Sequence, residues 1–402
     1  MNNCIWIWLC CALCLTACVR PASSPSIAAP SVPTATPSPM TSPTNTSHAE
    51  TQESEATQKI STPPAPSSPE FTQPPAATHT PTAASAQAPG GPPEHSVVLI
   101  PLGGAINQPE AEITGMAWFS DTLVLLPKYP DRFENQGGGS VFTIQKVDLL
   151  SFLDGESSGP IVPNAVPFYA PGIRERIPGF EGFKSIAFSG DRVYLTIEAR
   201  PEGMVSYLVS GWYEPGLEAI YLDTDRMATI EPQTQLPNLG DESLVPFGRR
   251  LATLYEANGT AVNTAPKAHL FGQDISLTTE LDFPYIEYRI SDATPTDDSG
   301  RFWVTNIFTP SDAQLQPSRD PLQEMYGEGQ THSAYSLVER LIELQFTEQG
   351  VVLADTPPIQ LELSADGIAR DWSAIARLDQ RGFLLATSGN PHTLLGFVPL
   401  IP

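Results

Sequence analysis

Short runs of apolar and β-branched residues, separated by Gly, Pro, Asp and Asn, make up the chain from residue 96 onward. No run keeps a 3.6-residue apolar period long enough for a substantial helix. The runs are the length of single strands, and the residues between them are typical of tight turns. This part of the chain is therefore predicted to be all-β.

One unit recurs in this region. It has an acidic residue, a small residue with apolar neighbours, a tight polar turn and then a strand rich in Val, Leu, Trp, Tyr or Phe. Asp and Gly suit such turns because they tolerate positive φ. The copies lie at residues 112–127, 181–200, 241–259, 292–306 and 371–390.

Repeats spaced by more than 50 residues suit four-stranded antiparallel blades, so we expect a β-propeller over residues 96–402. Five repeats are counted directly, and residues 291–370 have room for a sixth. The isolated strand 97–100 is expected to pair with 394–401 and close the ring, which removes exposed sheet edges. Residues 311–331 form a polar insertion, expected to be a loop over one face.

The openings EITGMAW and FEGFKSIAF and the ending DWSAIARLDQRGFLLATSGNP resemble the phytase-like propeller family, also called "esterase-like activity of phytase". The resemblance spans about residues 96–402. It implies a propeller that has six blades in most members, and it supports ester hydrolysis as one possible activity.

The N-terminus has the pattern of an export signal. Residues 5–17 form an uncharged apolar run, too short for a bilayer span of about 20 residues. Leu-Thr-Ala-Cys at 15–18 resembles the lipobox of bacterial lipoproteins, which predicts a signal peptide over 1–18 and a lipid on Cys18. Residues 1–4 lack the usual Lys or Arg, so a plain secretory signal or an uncleaved anchor is the alternative. The lipoprotein prediction places the chain on the extracytoplasmic face of a membrane, with the lipid as its membrane partner.

Residues 19–95 are predicted to be a disordered linker, because Pro, Ser, Thr and Ala cannot bury enough apolar surface to order the segment. They hold 17 of the 42 prolines. The formal net charge of −24 argues against nucleic acid as a partner. All five cysteines lie at or before Cys18, which excludes disulfides, thiol catalysis and Cys-bound zinc from the later chain.

Acidic residues that open the repeats are the best candidates for a site. The first strand of each propeller blade lines the central channel, so these side chains are expected to meet at one mouth, together with a second set that follows the second strands. Converging carboxylates suit Ca²⁺, which takes six to eight oxygens, although capping of strands is an alternative role. The candidates are Glu112, Glu181, Glu242, Asp292 and Asp371 in the first set, and Glu198, Glu256 and Asn306 in the second.

Other motifs point away from chemistry. Residues 155–159 match G-x-S-x-G by letters, but that motif needs a strand before it and a helix after it, and Pro160 follows here. The histidines show no zinc spacing. Packing is the favoured interpretation of Trp212, Tyr213 and Trp303, over carbohydrate stacking.

Two functions follow from these observations. The favoured one is a membrane-anchored, monomeric module that binds an unidentified ligand or surface protein without catalysis. The alternative is a secreted Ca²⁺-dependent hydrolase, a phosphoesterase or esterase, that uses the channel carboxylates. Fold alone cannot decide between them, because propellers host both.

Overall fold

The computed structural model describes residues 91–389 and 392–400. The predicted signal peptide, Cys18 and the linker up to residue 90 lie outside these residues. The described part contains 22 strands and three short α-helices, of which the longest has eight residues. None of these helices has the length and apolar character needed to cross a membrane.

Two short strands come first and belong to sheets completed much later in the chain. They are β1 (Glu94–His95) and β2 (Val98–Ile100). The linker was predicted to end at residue 95, but β1 pairs in parallel with a strand near residue 360. The Glu94 carboxylate also accepts hydrogen bonds from Thr331 and His332. The folded domain therefore includes these residues.

Five antiparallel sheets of similar construction follow, which we call blades I to V. Blade I contains β3 (Ile113–Phe119), β4 (Thr122–Pro127), β5 (Gly139–Gln145), helix α1 (Lys146–Leu153) and β6 (Asn164–Tyr169). Helix α2 (Ile173–Arg176) leads to blade II, with β7 (Phe180–Ser189), β8 (Arg192–Ala199), β9 (Val205–Tyr213) and β10 (Ile220–Ile230). Blade III contains β11 (Asp241–Phe247), β12 (Arg250–Tyr255), β13 (Lys267–Gly272) and β14 (Leu277–Asp282).

The last two blades complete the ring. Blade IV contains β15 (Arg289–Ala293), β16 (Arg301–Phe308), helix α3 (Pro321–Tyr326), β17 (Val338–Thr347), β18 (Gly350–Leu353) and β19 (Ile359–Leu361). Blade V contains β20 (Trp372–Leu378), β21 (Gly382–Thr387) and β22 (Leu395–Pro399). Its fourth strand is β2, antiparallel to β22. The predicted closure by both ends of the domain is confirmed.

The first strands of the blades adjoin one another in the order β3, β7, β11, β15 and β20, and β20 meets β3 again. The fold is a β-propeller, as predicted, and in the described residues it has five blades. Residues 291–370, the place for a sixth, hold only the remainder of blade IV, where β18 and β19 both pair with β17 and share the fourth-strand position. Residues 91–389 and 392–400 therefore do not contain the six blades that the family resemblance implies.

Apolar side chains fill the spaces between neighbouring blades rather than one central core. Five clusters lie between blades I and II, II and III, III and IV, IV and V, and V and I. Each blade is covered on both faces, which explains why second strands such as β4 and β21 are apolar almost throughout. This packing holds the ends of the inner strands in fixed positions around the axis.

Candidate functional site

A β-bulge near the start of the first strand occurs in every blade. The pairing of the first with the second strand shifts register between Ile113 and Gly115, Phe183 and Ile186, Asp241 and Ser243, Ile290 and Ala293, and Trp372 and Ala374. A bulge leaves one residue unpaired and turns its side chain away from the sheet. The residues turned in this way are polar, and all five line one cavity: Thr114, Lys184, Glu242, Ser291 and Ser373.

The end of the second strand supplies the other half of the site. In each blade, the first-strand residue two positions after the bulged one pairs with a residue on the second strand. These first-strand residues are Met116, Ile186, Leu244, Ala293 and Ile375. The residue three positions after each second-strand partner occupies an equivalent place in its blade. These equivalent residues are Lys128, Glu198, Glu256, Ile307 and Ser388. Four of them are polar and lie at the same end of the ring as the bulges.

Together these two positions form a cavity of about 550 Å³ on the propeller axis, lined by residues of all five blades. We call it the mouth cavity. Five of the predicted acids line it, namely Glu112, Glu181, Glu198, Glu242 and Asp371. Glu256 adjoins them, because one of its carboxylate oxygens lies within 4.8 Å of the nearest oxygens of Glu198 and Glu242.

Two buried carboxylates contact the ammonium group of Lys184, and a third, that of Glu256, lies close to both of them. Lys184 Nζ lies 2.7 Å from Glu198 Oε2 and also pairs with Glu242. Glu198 is 2% exposed, and Glu256 is fully buried. Burial by itself would lower the pKa of Lys184, but attraction to Glu242, Glu198 and Glu256 outweighs it and raises that pKa well above its usual value.

The same burial acts on the acids in the opposite sense. Desolvation raises the pKa of Glu256 well above its ordinary value, and the neighbouring Glu242 adds to the shift. Desolvation also raises the pKa of Glu198, although Lys184 opposes it. One oxygen of each of these two side chains, Oε1, is buried without a hydrogen-bond partner in the described structure.

Arg289 also lines the mouth cavity and lies next to the carboxylate cluster. It pairs with Asp371, and its Nε lies 4.0 Å from Glu256 Oε1 and 3.9 Å from Asp312 Oδ2. Asp312 comes from the insertion at 311–331, which is not a plain loop but contains α3 and packs Leu315 beside Tyr255 and Ala257. The insertion therefore reaches the edge of the site at Arg289.

Asp292 lies on the axis beneath the mouth cavity rather than in its lining. It occupies the position held by Gly115, Ser185, Ser243 and Ala374 in the other blades, whose small side chains leave space for it. Asp292 Oδ1 accepts a hydrogen bond from Ser185 Oγ at 2.9 Å, and Oδ2 accepts one from the Ile375 amide at 3.0 Å. Burial raises the pKa of Asp292 to about 8. It ties blades II, IV and V together.

Asn306 does not reach the mouth cavity. It precedes the equivalent position, Ile307, by one residue, and successive side chains of a strand point to opposite faces. Asn306 Nδ2 donates to the Glu287 carbonyl, and its Oδ1 accepts from Arg340. Arg340 in turn pairs with Asp320 at the start of α3, so Asn306 helps to hold the insertion.

The three cations that line the site, Lys128, Lys184 and Arg289, were missed by the sequence analysis. That search followed acidic residues at the start of each repeat, whereas the bulge fixes the position and leaves the residue type free. Aligning the repeats on the position that holds Ser185 in blade II and Ser243 in blade III would have shown that Lys184 and Glu242 occupy equivalent positions. Residues 155–159 follow α1 and lie in a loop, so they form no nucleophile elbow.

Comparison with known proteins adds little to this geometry. No family model matches the chain, and none of the curated proteins matches it. Several solved structures align with most of its length at low identity. One is a glucose dehydrogenase, with 14% identity, 73% of this chain and 99% of that chain covered, and a TM-score of 0.39.

Two further structures align in the same way. The soluble aldose sugar dehydrogenase of Escherichia coli has 10% identity, covers 76% of this chain and 100% of that chain, and has a TM-score of 0.38. An exo-β-1,3-galactanase of Phanerochaete chrysosporium has 8% identity, with 76% and 64% covered and a TM-score of 0.43. Scores of this size support no conclusion about ligand or activity.

Proposed function

We propose that the chain is a binding protein whose mouth cavity holds a divalent cation, expected to be Ca²⁺, and through it a small polar ligand. One observation carries this proposal. Glu198, Glu242 and Glu256 offer oxygens within 4.8 Å of one another, and in the described structure one buried oxygen each of Glu198 and Glu256 accepts no hydrogen bond. A cation is the group that would satisfy them.

The spacing suits calcium. Ca²⁺ binds oxygen at about 2.3–2.6 Å, so two of its ligands on opposite sides lie about 4.6–5.2 Å apart. Three carboxylates supply at most six oxygens, and hydroxyl groups of the cavity, water or an organic ligand can supply the rest. In this account Lys184 is the resident counter-ion, and its flexible side chain moves into the cavity when the metal ion enters.

Calorimetric titration of the purified full chain with Ca²⁺ tests the proposal. We expect one ion per chain, with a dissociation constant of about 10⁻⁴–10⁻³ M, as in other extracellular modules. Glu256→Gln should weaken binding at least about tenfold, or about 1.4 kcal/mol. The substitution keeps an acceptor for the Gly240 amide, which now donates to Glu256 Oε2 at 2.9 Å.

Glu287→Gln is the matched control. Glu287 is another buried carboxylate, but it lies outside the mouth cavity and accepts hydrogen bonds from Thr260. Its variant should bind Ca²⁺ like the unaltered protein. An absence of binding heat, or equal weakening in the two variants, would contradict the proposal.

The alternative, ester hydrolysis, has one observation in its favour. Lys128 and Arg289 line the same cavity as the carboxylates, so a phosphate or carboxylate ester would meet cations beside the proposed metal ion, which can activate water. Turnover of p-nitrophenyl phosphate or acetate that depends on Ca²⁺ and is lost in Glu256→Gln would favour hydrolysis over binding alone.

The proposal also includes the position of the module in the cell. A lipid on Cys18 and a Pro-rich linker over residues 19–90 would present the propeller on the extracytoplasmic face of a membrane. The lipobox-like sequence at 15–18 and the absence of cysteine after Cys18 support this part. The repeats' resemblance to phytase-like propellers supports a divergent relationship to that family.

A further inference from the structure

A second cavity, of about 710 Å³, lies between blades I and II, where parallel pairing of β6 with β10 joins the two sheets. We call it the aromatic groove. Its volume lies within the range of about 300–1,000 Å³ typical of small-molecule sites. It shares Phe180 with the lining of the mouth cavity and is otherwise formed by different residues.

Three aromatic side chains on neighbouring strands form a row along this groove. Tyr169 of β6 and Trp212 of β9 are the register partners of Tyr221 on β10. The ring of Tyr221 stacks on Tyr169 with centroids 4.8 Å apart and on Trp212 with centroids 5.6 Å apart.

The sequence analysis favoured packing for Trp212, Tyr213 and Trp303. Trp303 is buried and Tyr213 packs on Phe119, whereas Trp212 is 48% exposed.

The polar groups of the groove are few and mostly acidic. Arg174 is held by two hydrogen bonds to Asp131, 2.7 and 2.9 Å long. Glu134 and Glu175 also line the groove. Because Arg174 and Asp131 neutralise each other, the carboxylates of Glu134 and Glu175 give the groove a net negative charge. This charge disfavours an anionic ligand.

We infer that the aromatic groove binds a neutral oligosaccharide. A sugar ring has an apolar C–H face, which packs on aromatic side chains, and a rim of hydroxyl groups, which hydrogen-bond to carboxylate and guanidinium groups. The groove supplies both kinds of partner side by side. A neutral sugar also meets no repulsion from its acidic residues.

The test uses the purified full chain titrated calorimetrically with cellohexaose, maltohexaose and chitohexaose. At least one of these is expected to bind, and Trp212→Ala should weaken that binding at least about tenfold, while Trp212→Phe, which keeps a ring, should weaken it less. Tyr285 is equally exposed, at 48%, and Tyr285→Ala is the matched control that should bind like the unaltered chain. Glu256→Gln should also leave sugar binding unchanged, which separates this site from the mouth cavity.

Failure of all three oligosaccharides to bind would overturn the inference. Binding that is unaffected by both Trp212 variants would overturn it as well. Because the Trp212 side chain is half exposed, both variants are expected to keep the thermal unfolding midpoint of the unaltered protein, and Trp212→Phe serves if Trp212→Ala does not fold.

Discussion

Replacing Lys184 by methionine destabilises the folded protein by about 3–5 kcal/mol in the absence of divalent cations. The ammonium group of Lys184 is the nearest positive charge to Glu198 and Glu242, which are both buried. Methionine fills a similar volume but leaves these carboxylates without their counter-charge. Urea unfolding of the full chain, with and without a chelator, measures this loss.

Calcium should restore most of that stability. An ion present at about 100 times its dissociation constant adds about 2.7 kcal/mol to the free energy of unfolding. The gain from Ca²⁺ should be larger in Lys184→Met than in the unaltered protein, because the resident ammonium no longer competes for the same carboxylates.

Lys146→Met is the control for this experiment. Lys146 also contacts two carboxylates, Asp121 and Asp379, but both are largely exposed. Its loss should cost less than about 1 kcal/mol, and Ca²⁺ should stabilise this variant as much as the unaltered protein, because the mouth cavity is intact. If Lys184→Met were as mild as Lys146→Met, or if Ca²⁺ stabilised neither variant, the mouth cavity would not be a cation site.

Asp292→Asn should remove a large pH dependence of stability. Burial raises the pKa of Asp292 to about 8 in the folded protein, whereas an exposed Asp has a pKa of about 3.9. Between about pH 4 and pH 8 the folded state therefore holds a proton that the unfolded state has lost. Stability therefore falls as pH rises through this window and is level outside it. At 1.36 kcal/mol per pKa unit, the full effect is on the order of 5 kcal/mol.

Asparagine is neutral at every pH and can keep both contacts of Asp292. Its oxygen can accept from the Ile375 amide, and its NH₂ group can donate to Ser185 Oγ. Urea unfolding from pH 4 to pH 9 should show similar stability for the variant and the unaltered protein at the acid end, and a more stable variant at pH 8. Asp298→Asn, at an exposed turn, should change neither value, and the same pH slope in Asp292→Asn and the unaltered protein would refute this assignment.

The five repeats could be recognised from the sequence because the first strand, turn and second strand of each blade are adjacent in the chain. The closure of blade V could also be predicted, since β2 is an isolated apolar run and the last repeat ends with β22, one strand short of a complete blade. The blade count was harder to predict. In blade IV the fourth-strand position is divided between β18 and β19. The segment between β16 and β17 is also long, which made the interval seem large enough for another blade.

The site was only partly predictable. Convergence of Glu198, Glu242 and Glu256 follows from equivalent positions in neighbouring blades, which a repeat alignment contains. The burial of Asp292 depends on its contacts with Ser185 and the Ile375 amide in two other blades, and therefore on packing. The role of Arg289 depends on pairing with Asp371, 82 residues away. The sequence shows these residues but not their distances.

A crystal structure of the full chain grown with Ca²⁺ tests the central claim most directly. We predict one ion bound by oxygens of Glu198, Glu242 and Glu256 at about 2.3–2.6 Å, with the Lys184 ammonium displaced into the mouth cavity. Lys184 still lying between Glu198 and Glu242, with no ion beside them at a saturating concentration of Ca²⁺, would contradict the account.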